Sequence, residues 1–332
     1  HFGQKMIKNP KLWLFFGFFA FFGVILPWIG AEQLDVGAVW GGCWGNVTPD
    51  SRIFFQMRLP RVWMGLWAGG VLAMAGAALQ VVFRNPLAEP WTLGMAGGAS
   101  LGAFAARMCP ALWWAAGPLN TSQALALLGA GGALSLVLAV ARRQGGGGQI
   151  LLLAGVTVGV ISGGAIMAAS GLVSPDKLAG FHRWLLGGLD AADWRALGAM
   201  MVITAPGAGI LAALAGEYNP LGLGEAMAAG QGVEVARVRR WTAIGAGLAS
   251  AGVAAVAGPI GFVGLLAPHA VRRWTGPDMR LVLPASFLAG GILLAVCDAA
   301  GRWAAAPLEM PVGALTALLG GPLFLWLLAK GK

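Results

Sequence analysis

Residues 61–82 read RVWMGLWAGGVLAMAGAALQVV. This run carries one charged side chain, Arg61 at its first position, and it is otherwise apolar, glycine or alanine apart from Gln80. About 20 consecutive apolar residues are enough for a helix to cross the hydrocarbon core of a bilayer. The run therefore predicts a transmembrane helix, and its Gly69-Gly70 and Gly76-Ala77-Ala78 steps predict close packing against neighbouring helices.

The composition of the whole chain agrees with this stretch. Of 332 residues, 58% are hydrophobic and 11% are charged, whereas a soluble domain carries about 25% charged residues. A soluble core cannot bury that much apolar surface, so an ordinary cytosolic enzyme is excluded. The composition predicts an all-α, polytopic membrane protein with residues 1–332 forming a single transmembrane domain.

Cutting the chain at charges, prolines and turn residues gives ten apolar segments. We expect about ten transmembrane helices, although the eighth segment is too short to span as a plain helix. The segments are 12–30, 61–82, 92–107, 118–140, 150–170, 196–215, 241–257, 260–267, 282–298 and 312–329.

The charges predict an orientation. With both termini placed in the cytoplasm, 14 of the 22 Lys and Arg residues fall inside and 8 fall outside. This excess follows the positive-inside rule. This cytoplasmic excess of Lys and Arg explains the net charge of +9. We therefore expect membrane lipid, and no nucleic acid, as a partner of the chain.

Several kinds of chemistry are missing from the sequence. No HExxH, GxSxG or paired-carboxylate motif is present, which disfavours a membrane enzyme. No mid-span carboxylate is found, which disfavours an ion-coupled secondary carrier. The P-loop motif GxxxxGK[ST] is absent as well, so active transport would draw on ATP used by a separate subunit, and we expect the chain itself to bind no cofactor.

Cysteine and histidine residues predict no metal site. Cys43, Cys109 and Cys297 are far apart in the sequence, and His182 and His269 are isolated. We expect all five to be structural. Residues 1–5 precede Met6 and are expected to be a cloning remnant.

Six motifs in order then indicate a family. The chain resembles the FecCD-type permeases, the membrane subunits of ABC importers for ferric siderophores, haem and cobalamin. The motifs are RLPR at 58–61 with QVVFRNPLAEP at 80–90, LGMAGGASLG at 93–102, LLLAG at 151–155, GFVGLLAPH at 261–269, GPD at 276–278, and LEMPVGALTALLGGPLFLWLL at 308–328.

The resemblance implies an architecture and a set of partners. It implies a homodimer in the bacterial inner membrane with the pathway at the interface, two cytoplasmic ATPase subunits below, and a periplasmic or lipoprotein substrate-binding protein above. The cargo would be a bulky metal chelate, with a ferric siderophore expected first and cobalamin or haem close behind. An oxyanion such as molybdate, or a secondary carrier, is the alternative.

Three arginines are candidate docking residues. Arg58 and Arg61 lie three apart on one helix face, and Arg302 ends the ninth segment, all on the predicted outside where the orientation rule disfavours them. They match the family's arginines for docking the binding protein. The alternative is local ion pairing with Asp298 or Glu309.

The family also suggests two cytoplasmic sites. Asn85 and Leu87 match part of the cytoplasmic gate, and Gly148 and Gln149, just before LLLAG, take the place of its other part. Residues 216–240 resemble the loop that couples to the ATPase. Its glycine punctuation predicts two short helices joined by a tight turn, with these coupling residues: Leu223, Gly224, Glu225 and Gly230.

Overall fold

A computed structural model describes residues 10–30, 32–41, 48–108, 115–116, 119–144, 147–304 and 309–329. The interpretations of residues 1–5, Cys43 and Cys109 lie outside these ranges. Within them the chain is helical apart from turns and one antiparallel pair of two-residue strands, Ala115–Ala116 (β1) and Leu119–Asn120 (β2). The prediction of an all-α protein is confirmed.

The helices follow the predicted segments closely, and each of the ten segments overlaps one of them. The bounds are α1 Pro10–Ile25, α2 Val36–Gly41, α3 Pro49–Arg52, α4 Leu59–Val82, α5 Met95–Met108, α6 Thr121–Arg143, α7 Gly148–Ser170, α8 Pro175–Leu185, α9 Trp194–Ala213, α10 Ala215–Leu223, α11 Glu225–Gly230, α12 Val235–Ala257, α13 Val263–Thr275, α14 Met279–Ala304 and α15 Val312–Ala329. A 3-10 turn follows α1 at Leu26–Trp28, another precedes α5 at Pro90–Leu93, and a π turn at Ile53–Arg58 leads into α4.

Six helical stretches among the described residues are long and apolar enough to cross a membrane. They are Pro10–Trp28, Pro49–Val82, Thr121–Arg143, Gly148–Ser170, Trp194–Ala213 and Met279–Ala304. The other four predicted segments form helices that do not meet those criteria of length and apolar character. The expected number of about ten spans therefore stays a prediction.

Helix α4 lies at the centre of the bundle. It packs against α14, α12, α13 and α9, and 89% of its most apolar window is buried inside the chain. Small residues allow this: a Cβ on Gly69 would overlap the carbonyl oxygen of Gly290 on α14, and one on Gly76 would overlap that of Gly264 on α13. Between apolar helices in lipid, such close backbone contact is the main source of attraction.

Helix α7 is the opposite case, with only 17% of its apolar window buried. Side chains such as Leu153, Val160 and Met167 point away from the chain. An apolar helix face of this length is stable only against lipid or another protein. The structure therefore places one wall of the bundle where a second molecule or the bilayer must cover it.

The α4–α14 contact gives a first prediction. Gly69→Leu should lower the yield of folded, detergent-solubilised protein and its melting temperature, because overpacking a tight contact costs about 1–3 kcal/mol. Gly131→Leu is the matched control, because nothing in the described structure lies within 4 Å of a Cβ placed on that α6 glycine. Size-exclusion chromatography and thermal unfolding measure both. Equal melting temperatures for the two variants would contradict the packing argument.

Candidate functional sites

The structure brings two of the three predicted docking arginines onto one carboxylate. The Nε of Arg61 donates to both carboxylate oxygens of Asp298 at 3.1 Å, and its Nη2 donates to Oδ1 at 2.9 Å. The Nε of Arg302, one turn along α14, donates to Oδ2 at 3.1 Å. Asp298 is 2% exposed, so this buried carboxylate ties α4 to α14.

Arg58 lies beside this cluster but makes a different set of contacts. It is 8% exposed and donates to three backbone carbonyls, those of Pro27 at 3.5 Å, Trp28 at 3.4 Å and Glu32 at 2.6 Å. Arg302 adds a hydrogen bond to the carbonyl of Ile29 at 2.9 Å. Both arginines therefore hold the segment that follows α1.

Arg61 is the arginine of this cluster with a partner at the surface. Its Nη1 donates to Oε2 of Glu309 at 2.8 Å, and Glu309 is 51% exposed. The local ion pairing considered as the alternative for the three arginines is thus present for Arg61 and Arg302. The docking role of the three arginines stays a prediction.

The predicted gate residues come together at one end of α4. After α4, the Oδ1 of Asn85 accepts the N–H of Leu87 at 2.9 Å, which closes a tight turn. A Cβ on Gly148, the first residue of α7, would lie 3.0 Å from the Phe83 ring. Both predicted gate elements thus adjoin through Phe83, and Gln149 lies exposed beside them.

A cavity of about 590 Å³ opens between α5, α7 and α8. Glycines of α5 and α7 form much of its wall, and its polar side chains include Ser100, Ser170 and His182. Trp91, from the 3-10 turn before α5, also lines it. Sequence motifs did not mark this cavity as a site, because its wall is mainly glycine and apolar side chains that packing alone would also explain.

The predicted coupling loop forms two short helices, α10 and α11, with Gly224 between them at φ +133°. The prediction of a tight turn between two helices is confirmed. Glu225 does not stand free at the surface: it pairs with the buried Arg239 of α12 at 2.6 Å. Leu223 and Met227 are the exposed apolar side chains of this loop, and Gly230 ends α11.

No cluster of three or more metal-ligating side chains is present in the part of the chain that the structure describes. The pKa of His269 on α13 is lowered by burial and then by the positive charges of Arg273 and Arg272. The same positive charges disfavour the binding of a metal cation at this imidazole. The structural interpretation of this histidine is retained.

Glu89, between α4 and α5, is a titratable group outside the predicted sites. Its Oε2 accepts the backbone N–H of Phe262 at 3.1 Å. Removal of this carboxyl from water raises its pKa to about 7, and the Phe262 hydrogen bond opposes that rise. Glu89 sits in the QVVFRNPLAEP motif, but the motif alone did not single it out.

The ion cluster gives a second prediction. Asp298→Asn should destabilise the protein by about 3–5 kcal/mol, because it leaves two buried guanidinium groups without their carboxylate. Glu309→Gln should cost about 1 kcal/mol or less, because that carboxylate is exposed. Thermal unfolding in detergent compares the two, and an Asp298→Asn variant as stable as Glu309→Gln would contradict the assignment.

The raised pKa of Glu89 gives a third prediction. The pKa of this carboxyl is higher in the folded state, at about 7, than in the unfolded state, near 4.5. The protein therefore loses stability as pH rises through that range. Glu89→Gln does not titrate, so its advantage in melting temperature over the wild type should grow between pH 5 and pH 8. The corresponding gain in the free energy of unfolding of Glu89→Gln relative to the wild type is about 1 kcal/mol or more, since one pKa unit is worth about 1.4 kcal/mol. A gap that stays constant with pH would contradict the burial of this carboxyl.

Comparisons with known proteins agree over nearly the whole chain. The FecCD transport family matches residues 17–330. A hemin transport system permease protein, HmuU, from Yersinia pestis is 34% identical and covers 98% of this chain and 97% of its own. An Fe(3+)-citrate import system permease protein, YfmD, from Bacillus subtilis is 35% identical, and the match covers 91% of this chain and 87% of that protein.

A third relative and a solved structure complete the comparison. The cobalamin import system permease protein BtuC of Halobacterium salinarum is 39% identical over 82% of this chain and 72% of its own. The solved structure, an inward-facing conformation of a putative metal-chelate type ABC transporter, superposes with a TM-score of 0.85 at 29% identity and covers 97% of this chain and all of that one. These relatives are named as permease proteins of import or transport systems, which is the class of protein that the sequence motifs indicated. The chain belongs to the FecCD transport family, as a multi-pass membrane permease subunit of an ABC importer.

Proposed function

We propose that two copies of this chain form the pathway by which a bulky metal chelate crosses the bacterial inner membrane. A ferric siderophore is the first choice of cargo, with cobalamin or haem next. The observation that carries the proposal is the match over residues 17–330 together with relatives named for Fe(3+)-citrate, hemin and cobalamin. An oxyanion such as molybdate is the alternative cargo.

The exposed face of α7 supports the homodimer. This helix forms one wall of the 590 Å³ cavity, and its outward side chains are apolar apart from Gln149 and Thr157. Pairing two such faces would bury them and join two cavities into one wider path. Its glycine-rich wall would let a large, rigid ligand pass with few specific contacts, so recognition would rest with the binding protein.

The charges support an orientation with both termini in the cytoplasm. The gate elements, α10 and α11 then face the cytoplasm, while the Asp298 cluster faces outward. Hydrolysis of ATP on the two partner subunits would move α10 and α11, and that movement would reach α4 through the packing of α10 against α4. This chain would bind no cofactor of its own.

The function is tested by uptake into proteoliposomes. The chain with its ATPase subunits and binding protein should accumulate a ferric siderophore, cyanocobalamin or haemin only when ATP is supplied to the ATPase side. An ion gradient without ATPase subunits should drive no uptake. Uptake by the chain alone would contradict the proposal.

The coupling loop provides a matched variant for the same assay. Leu223→Asp with Met227→Asp should reduce ATPase attachment at least tenfold, because it places charge on the exposed apolar side chains of α10 and α11. Gln144→Asp, an exposed change after α6, should leave attachment intact. These positions are preferred to Glu225, whose replacement by arginine would place a second positive charge beside the buried Arg239. Normal attachment of the double variant would assign the loop a connecting role only.

A docking prediction follows from the pairing of Arg61 with the exposed Glu309. If the binding protein offers a carboxylate to Arg61, then Arg61→Gln should weaken docking about tenfold. Glu309→Gln should instead tighten it about threefold, because it removes a competing carboxylate. Added salt should weaken wild-type docking. Surface plasmon resonance on the purified dimer measures all three, and equal affinities throughout would leave these arginines a structural role.

A further inference from the structure

Two segments that lie outside the α-helices meet in the bundle, residues 83–94 before α5 and residues 258–262 before α13. Positive φ angles are adopted by Arg84, Gly94, Gly258 and Phe262, with values of +48°, +75°, +69° and +68°. Phe262 stands out, because a bulky residue seldom adopts that conformation unless surrounding contacts hold it there.

Glu89 supplies one of the contacts that hold Phe262. The Phe262 N–H donates to the Glu89 carboxylate at 3.1 Å, across 173 residues of sequence. Phe262 caps α13 but makes no capping bond with its own side chain, which packs instead against Gly320 of α15. A carboxylate from another segment thus meets the positive end of α13, where a negative charge is favoured.

The same two segments are joined on either side of this bond. The indole Nε1 of Trp91 donates to the carbonyl of Ile260 at 2.7 Å. The Nε2 of Gln80, at the end of α4, donates to the carbonyl of Gly264 at 3.2 Å, and Arg272 of α13 returns a hydrogen bond to Oε1 of Gln80. Gln80, Glu89 and Trp91 therefore all hydrogen-bond to α13 or to the segment before it.

These contacts link the cavity wall to α13 and α15. Trp91 lines the cavity, and Gly94 lies against Gly155 of α7. On the other side, the 258–262 segment touches Gly187, just after α8, through Pro259. Glu89 therefore joins the cavity wall to the start of α13 and so, through Phe262, to α15.

We propose that Glu89 is a positioning residue for transport, whose carboxylate latches the Phe262 N–H so that the cavity wall at Trp91 and helix α13 move as one unit. The proposal rests on the transport cycle proposed above. What the latch requires is an acceptor oxygen at this position, so glutamine should serve and a side chain of similar length without that oxygen should not.

The test compares Glu89→Gln with Glu89→Met in the assembled complex. Spin labels on Leu87→Cys and Arg273→Cys, in a background lacking the three native cysteines, report the distance between the turn after α4 and α13. Wild type and Glu89→Gln should give a narrow distance between the two labels of one chain, and that distance should be the same without nucleotide and after trapping with ATP and vanadate. Glu89→Met should give a broad distribution. Glu234→Ala, which removes an exposed carboxylate before α12, is the control and should match the wild type.

Transport separates positioning from simple stability. For folded complex, uptake per ATP hydrolysed should fall at least fivefold in Glu89→Met and stay within twofold of wild type in Glu89→Gln, using ferric citrate, cyanocobalamin or haemin as the probe. A normal ratio in Glu89→Met, or equal loss in both variants, would overturn the latch.

Two further outcomes also decide. If Glu89→Met does not assemble, a label distance that changes between the two nucleotide states of the wild type overturns the latch, and an unchanged distance supports it. If the wild type transports none of the probes, the proposed cargo fails, while the label distances still judge the latch.

Discussion

The close approach of α4 to α14 and α13 is the contact on which the rest of this bundle depends. Apolar side chains gain little by leaving lipid for one another, so membrane helices associate through van der Waals contact and hydrogen bonds. Gly69 against Gly290 and Gly76 against Gly264 let the backbones meet directly. With α4 fixed in this way, the arginines at one end and the gate turn at the other acquire defined neighbours.

Polar groups then fix the register that small residues alone would leave free to slide. Asp298 receives Arg61 and Arg302 near one end of α4, and Gln80 receives Arg272 near the other. Each is a buried hydrogen-bonded contact whose loss would strand a charge. The glycine contacts thus set the distance between the helices, and the buried hydrogen bonds set the position of one helix along another.

The functional features lie where this regular packing ends. The cavity borders α7, the least buried of the six helical stretches that are long and apolar enough to cross a membrane. The crossing of residues 83–94 with 258–262 interrupts the helices behind that cavity, and non-helical backbone in such a protein is tolerated only where its polar groups find partners. Glu89 and Trp91 supply two of those partners. A single residue can therefore bear on both the cavity wall and α13.

The sequence by itself determined the membrane environment, the helical class, the positions of the ten apolar segments and the pair of short helices α10 and α11, because hydropathy and glycine punctuation are local properties of the chain. The motifs from RLPR at 58–61 onward determined the family. The tertiary structure decided which groups meet: that Asp298 takes both Arg61 and Arg302, that Glu225 pairs with Arg239, and that Glu89 reaches Phe262. These partners are 237, 4, 14 and 173 residues apart, and only the i,i+4 pair of Asp298 and Arg302 lies within reach of helical periodicity. For the others, contact depends on how whole helices pack, which no local pattern encodes.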